Sequence, residues 1–251
     1  MNIVLIPARG GSKSIYKKNI ALLGNKPLIY YTIEIAKQSK LIDKVFVSTD
    51  DIEIQSISEN LGAEVPFLRP KEFANDISRD YDVIYHFLEW NKFDEINSLI
   101  YLRPDFPFRK LMLINEAIKK FRDSDCEILK SVFESKELPY FHLIKKNGFL
   151  SPVIDFNPDV LSSDDYKNLE TIKNDYRLLL SKGVVARQFF PKPYYPSGYI
   201  DIFNPRFILK EKKIHSKRTI PFIVDEDCIN IGSRDDLLMA EKIISNFNFE
   251  L

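Results

Sequence analysis

Residues 3–19, IVLIPARGGSKSIYKKN, decide the fold. Ile3 to Ile6 is a short apolar run that reads as a buried strand, and Pro7 breaks it into a loop. That loop holds Gly10, Gly11 and Ser12, ringed by Arg9, Lys13, Lys17 and Lys18. A strand that opens into a cationic, glycine-containing loop is a recurrent way to hold phosphates. The glycines admit backbone N–H groups close to an anion, and the basic side chains neutralise its charge. The spacing matches neither G-x-x-x-x-G-K-[ST] nor G-x-G-x-x-G after the strand. A basic surface turn would have the same composition, so the rest of the chain has to choose between the two.

Outward from that stretch, strands and helices alternate. Helical spacing over Leu28–Ser39 is followed by a strand at Lys44–Ser48 and a helix over Asp51–Leu61, with Gly62 placed to stop it. A short strand is expected at Glu64–Leu68, a helix near Tyr81–Asn91 and a strand at Ser98–Leu102 ended by Pro104. A helix at Leu111–Arg122 and a strand at Ile128–Phe133 complete the run. This β-α-β order predicts an α/β fold, a mostly parallel sheet covered by helices on both faces. Ligands of such sheets sit outside the carboxyl ends of the strands, so the loops starting at Pro7, Thr49 and Arg103 should converge there.

From about Leu138 to Pro196 periodicity is lost and aromatics and prolines cluster. A connection of this length and apolar character reads as an excursion that meets a partner surface. The chain then returns through a strand at Tyr199–Phe203 and a short apolar run at Phe222–Val224. It ends in a helix over Arg234–Asn246, for which Ser233 is the expected N-cap.

Composition narrows the class. With 251 residues, 45% hydrophobic, the chain reads as a single domain with a real core. The 36 basic and 36 acidic side chains cancel, so no global field favours nucleic acid or an anionic membrane. Any anion site must be local. Cys126 and Cys228 form no CxxC or Cys/His set and read as reduced thiols of a cytoplasmic protein. The first apolar run is too short for a signal peptide, and no stretch approaches the roughly 20 apolar residues of a membrane span.

The opening block I-P-A-R-G-G-S-K-x-I-x-x-K-N-I resembles the signature of the CMP-sugar synthetases, the acylneuraminate cytidylyltransferases. The resemblance continues through Lys26–Ile29, Val47–Asp51, Glu64–Pro70, Leu102–Arg109 and Arg187-Gln188, in family order over nearly the whole chain. It implies a Rossmann-like nucleotide-diphospho-sugar transferase fold over residues 1–251, with residues 138–196 as a dimerisation arm of a homodimer. It also implies a CTP-dependent enzyme that transfers CMP to a 3-deoxy-ulosonic acid such as sialic or legionaminic acid and releases pyrophosphate.

The resemblance places roles on residues. Arg9 and Lys18 contact the triphosphate and are the catalytic candidates, with Gly10, Ser12 and Lys13 completing the loop. Asn19 takes the base-contacting position, where an amide both donates and accepts, and Arg69 a nucleotide-contacting one. Arg187 and Gln188 fall near the sugar, where a guanidinium pairs with a carboxylate.

Departures from the pattern bear on the acceptor and the metal. Where relatives have L-Q-P-T-S-P-L-R, with the glutamine facing the sugar, this chain has Arg103 and Asp105-Phe106. A fixed cation there suits a more acidic acceptor, or an Arg103–Asp105 pair. The family's Mg²⁺-holding Asp-x-Asp before the last helix falls on Asn230 and Gly232, poor replacements for hard oxygen ligands. Asp201, in a core strand, and the nearby Asp225 and Asp227 are the alternative metal candidates. A sugar phosphate or phosphonate acceptor, and a non-catalytic nucleotide-binding relative, are the competing readings.

Overall fold

The computed structural model describes residues 1–12, 14–91, 95–137, 142–146, 148–152, 192–224 and 228–246. Two compact units divide the chain: Met1–Val132 with Pro196–Leu251, and Phe133–Tyr195. The strands are β1 (Asn2–Pro7), β2 (Leu22–Leu23), β3 (Lys26–Pro27), β4 (Lys44–Ser48), β5 (Ser98–Tyr101), β6 (Ile128–Glu134), β7 (Leu143–Lys146), β8 (Phe149–Pro152), β9 (Tyr194–Phe203) and β10 (Thr219–Ile223). The helices are α1 (Leu28–Gln38), α2 (Ile52–Asn60), α3 (Asp80–Asn91), α4 (Leu111–Arg122), α5 (Pro205–Glu211) and α6 (Arg234–Asn246).

A six-stranded sheet in the order β10-β6-β9-β5-β1-β4 carries the larger unit. The pairs β1–β4, β1–β5 and β6–β10 are parallel, while β9 runs antiparallel to β5. The mostly parallel sheet expected from the sequence is therefore present, with β9 reversed against β5. Ile3 to Ile6 are fully buried. Their side chains alternate between faces, and Ile3 and Leu5 pack with Phe46, Phe87, Leu99 and Tyr101 in one apolar cluster. A second cluster joins Leu28 and Tyr31 of α1 to Ile231 and Ala240.

Three features depart from the sequence reading. Glu64–Leu68 forms no strand: it touches the sheet edge only through isolated bridges, Phe46 to Glu64 and Thr49 to Leu68. Pro66 within that stretch removes a donor that a ladder would need. The returning strand β9 begins at Tyr194, five residues earlier than periodicity suggested. Helix α5 was not foreseen, although Asn204 caps it by accepting from the Arg206 and Phe207 N–H groups and Pro205 sits at its first position. At α6, Ser233 and Asp236 bond reciprocally through Ser233 N–H to Asp236 Oδ2 (2.7 Å) and Asp236 N–H to Ser233 Oγ (3.2 Å). That is a capping box.

The unit Phe133–Tyr195 contains the antiparallel hairpin β7–β8. Within it the Ser135 N–H donates to Pro193 O at 2.9 Å, and Lys192 pairs with Glu134 at 2.7 Å.

Candidate functional site

The loop after β1 is built by its neighbours before any ligand arrives. The Gly10 N–H donates to Asp50 Oδ1 at 2.9 Å. A Cβ at Gly10 would lie 2.8 Å from Asp51 Cβ, so this position requires glycine. Lys17 holds a left-handed φ of 45°, and its Nζ bonds Glu53 Oε2 at 2.6 Å and Asp51 Oδ2 at 3.0 Å. Those hydrogen bonds, Glu53 foremost, raise the Lys17 pKa. Asp51 also caps α2 by accepting from the Glu53 and Ile54 N–H groups. Burial would raise Asp51, but Lys17 and the helix N–H groups outweigh it and hold the carboxyl below its ordinary value. Asn19, buried, donates from Nδ2 to Arg9 O at 2.9 Å and closes the loop.

A cavity of about 420 Å³ opens beside this loop. It is lined by Arg9, Ser12, Lys18, Asn19, Arg69 and Arg103, so six residues singled out from the sequence converge on one space. Arg9 reaches Asn75 O (2.8 Å) and Asp76 (3.4 Å). Lys18 Nζ rests on Asp105 Oδ1 (2.8 Å) and Ile231 O (3.1 Å). Arg69 is 4% exposed, and its Nε and Nη2 are buried without a partner. Burial lowers its pKa, as desolvation of a cation must. A buried guanidinium with open donors, facing a cavity, is a group prepared for an acceptor from outside the chain.

Arg103 is in the opposite state. Its Nη2 bonds Asp80 Oδ2 at 2.6 Å and its Nη1 bonds Asp201 Oδ2 at 3.2 Å. The Tyr101 hydroxyl donates to Asp80 Oδ1 at 3.0 Å. Burial alone would lower the Arg103 pKa; Asp80, Tyr101 and Asp201 together raise it. The Arg103–Asp105 pair suggested by the sequence gives way to this arrangement, because Asp105 is taken by Lys18. Asp201 stands opposite Tyr101 in the antiparallel β5–β9 register, which brings it beside Arg103.

Arg109, the last residue of the block Leu102–Arg109, braces the loop that follows β5. It is 4% exposed and donates to Tyr199 O (2.8 Å), Thr32 Oγ1 (3.0 Å), Phe106 O (2.9 Å) and Arg103 O (2.6 Å). With four oxygen acceptors and no carboxylate among them, burial pushes its pKa down to about 10. The signal available in the sequence was its place at the end of Leu102–Arg109, not its partners.

Lys13, Arg187, Gln188, Asp225 and Asp227 lie outside the described residues. Among the described residues no group of three His, Cys, Asp or Glu is placed to hold a metal ion. Asp201 is 1% exposed, with Oδ2 on the Arg103 cation and Oδ1 buried without a partner. A divalent ion there would meet a guanidinium, so the described residues alone do not fit magnesium.

The chain matches the cytidylyltransferase family over residues 3–172 and belongs to that family. It is 32% identical over 243 residues to an N-acylneuraminate cytidylyltransferase of Escherichia coli O18:K1:H7, covering 96% of this chain and 51% of that protein. It is 28% identical over 248 residues to the CMP-N,N'-diacetyllegionaminic acid synthase of Legionella pneumophila, covering 96% of this chain and 95% of that one. The chain thus spans about half the length of the Escherichia coli relative and of similar proteins from Streptococcus agalactiae. Among solved structures, a CMP:2-keto-3-deoxy-manno-octonic acid synthetase complexed with CTP superposes with a TM-score of 0.65 at 13% identity, covering 98% of both chains. The 4-diphosphocytidyl-2C-methyl-D-erythritol synthase of Anaerococcus prevotii gives 0.62 at 12% identity, covering 97% of this chain and 98% of that one. The fold is that of the nucleotide-diphospho-sugar transferases.

Proposed function

We propose that this protein transfers CMP from CTP to a 3-deoxy-ulosonic acid of the sialic or legionaminic type, releasing pyrophosphate. The observation that carries the reading is the convergence of Arg9, Ser12, Lys18, Asn19, Arg69 and Arg103 on one cavity, in a chain of the cytidylyltransferase family. The similarity to an N-acylneuraminate cytidylyltransferase and to a CMP-legionaminic acid synthase supports the acceptor class.

In this reading the triphosphate lies along the loop from Arg9 to Lys18, and Lys18 leaves Asp105 for the phosphate oxygens. The acceptor hydroxyl attacks the α-phosphorus as the bond to pyrophosphate breaks, and the cations offset the charge that develops. Arg187, with Gln188 beside it, meets the acceptor carboxylate. Lys13 adds its charge to the loop. Mg²⁺ would enter with the nucleotide and offset its phosphate charge; Asp225 and Asp227 would hold it, whereas Asp201, already bound to Arg103, does not fit that role. The segment 138–196 is the dimerisation arm of a homodimer, and the protein works in the cytoplasm, where CTP is available.

Incubation with CTP, Mg²⁺ and a panel of ulosonic acids should release pyrophosphate. Silence across the panel from folded protein overturns the reading. A preference for sugar phosphates over every ulosonic acid would replace it with the phosphorylated-acceptor alternative, for which Arg103, already neutralised by Asp80 and Asp201, offers no free cation.

A further inference from the structure

We infer that Asp80 receives a sugar hydroxyl or amide N–H in the cavity wall, with Arg103 and Tyr101 as its positioning residues. The inference rests on the proposed cytidylyl transfer and specifies what that site selects.

The charges around Arg103 do not cancel. One guanidinium meets two carboxylates, Asp80 and Asp201, at 2.6 Å and 3.2 Å, and burial keeps the Tyr101 phenol neutral. One negative charge is left over, and the two carboxylates do not share it equally with solvent. The Asp201 side chain is 2% exposed, whereas that of Asp80 is 41% exposed. Asp80, Tyr101 and Arg103 line the cavity; Asp201 is behind them. The surplus therefore reaches the cavity through Asp80.

Its orientation is set before a ligand arrives. Oδ1 accepts from Tyr101 and Oδ2 from Arg103. A carboxylate oxygen has two lone pairs, so each oxygen keeps acceptor capacity while the group cannot rotate away. The neighbouring Arg79 is drawn to Asp82 at 3.3 Å. At the Asp80 carboxylate itself a hydroxyl or amide N–H finds a fixed charged acceptor, the stronger class of hydrogen bond.

Both substrates of the proposed reaction carry such donors: the ribose of CTP and the acceptor sugar. Steady-state kinetics on Asp80→Ala, Asp80→Glu and Asp201→Asn, with CTP, 2′-deoxyCTP and the acceptor turned over by the wild type, separate the sources. Wild-type turnover tests the function reading itself; the variants then report on Asp80. Losing one hydrogen bond to a charged group should raise one KM about tenfold or more, with kcat less affected and partial recovery in Asp80→Glu. If the ribose is the donor, the CTP KM rises and the preference for CTP over 2′-deoxyCTP disappears. If the acceptor is the donor, its KM rises alone.

Unchanged KM values for both substrates in Asp80→Ala overturn the inference. So does an equal KM increase in Asp201→Asn, which disturbs the same network from its sealed side. Loss of both affinities in step with melting temperature would assign Asp80 a purely structural role and overturn it as well.

Discussion

Arg69 and Arg103 are two arginines in the wall of one cavity, and they are in opposite conditions. Arg69 is buried with two guanidinium nitrogens that have no partner among the described residues, and its pKa is depressed by desolvation. Arg103 is clamped by two carboxylates and its pKa is raised. Residue type alone would give them the same role. Partner count separates them: the first keeps open donors at the cavity and the second is held by its neighbours.

Replacing each arginine with methionine tests that division. Arg103→Met leaves Asp201 buried without its cation, a change that costs about 3–5 kcal/mol; a large fall in melting temperature is expected. If the variant melts like the wild type, Arg103 is not a structural clamp. Lys18 stands between the two, paired with Asp105 yet facing the cavity. Lys18→Ala should lower kcat by about 10²–10³-fold, the range for removing one donor to developing charge, with little change in melting temperature. Retained turnover would move the phosphate contact elsewhere.

Arg69→Met should weaken CTP binding by about tenfold or more in calorimetry, without lowering the melting temperature. Removing an unpartnered buried cation removes a desolvation cost. A destabilised variant with intact affinity would erase the contrast with Arg103. The smallest effect concerns alkaline pH. Burial pushes Tyr199 up to about 12 from the ordinary 10, and Tyr31 likewise. Because the folded pKa lies above the unfolded one, this stabilisation is complete below pH 10 and is lost as pH rises from 10 towards 12. Thermal melts across that window should show a steady decline, weaker in Tyr199→Phe; a flat profile would show that these phenols ionise freely.

Much of the fold was legible because strand and helix periods are local properties. β1, β4, β5 and the helices α1 to α4 stand within a few residues of their expected places. The cationic loop was legible because Arg9, Ser12, Lys18 and Asn19 lie close together in the chain and carry the family resemblance. The Arg103 end was not. Its partners Asp80 and Asp201 are 23 and 98 residues away in sequence; the register that sets Tyr101 against Asp201 brings the second, and the start of α3 brings the first. A cation's neighbours decide its job, and no sequence pattern encodes neighbours across a sheet. The Glu64–Leu68 strand failed for a local reason: Pro66 lacks a ladder donor, and the backbone meets the sheet only at two isolated bridges.

Arg109 carries a consequence for how the site can change over time. Three of its four acceptors are main-chain carbonyls, at Arg103, Phe106 and Tyr199, and every amino acid supplies one. The oxygens that the brace grips survive any exchange of side chain at those three positions, so the brace itself persists even where the exchange costs stability for another reason, as at Arg103. Thr32 is the exception, since it contributes through its own hydroxyl. A scaffold anchored on backbone rather than on side chains leaves the cavity's selectivity open to mutation and its shape closed to it.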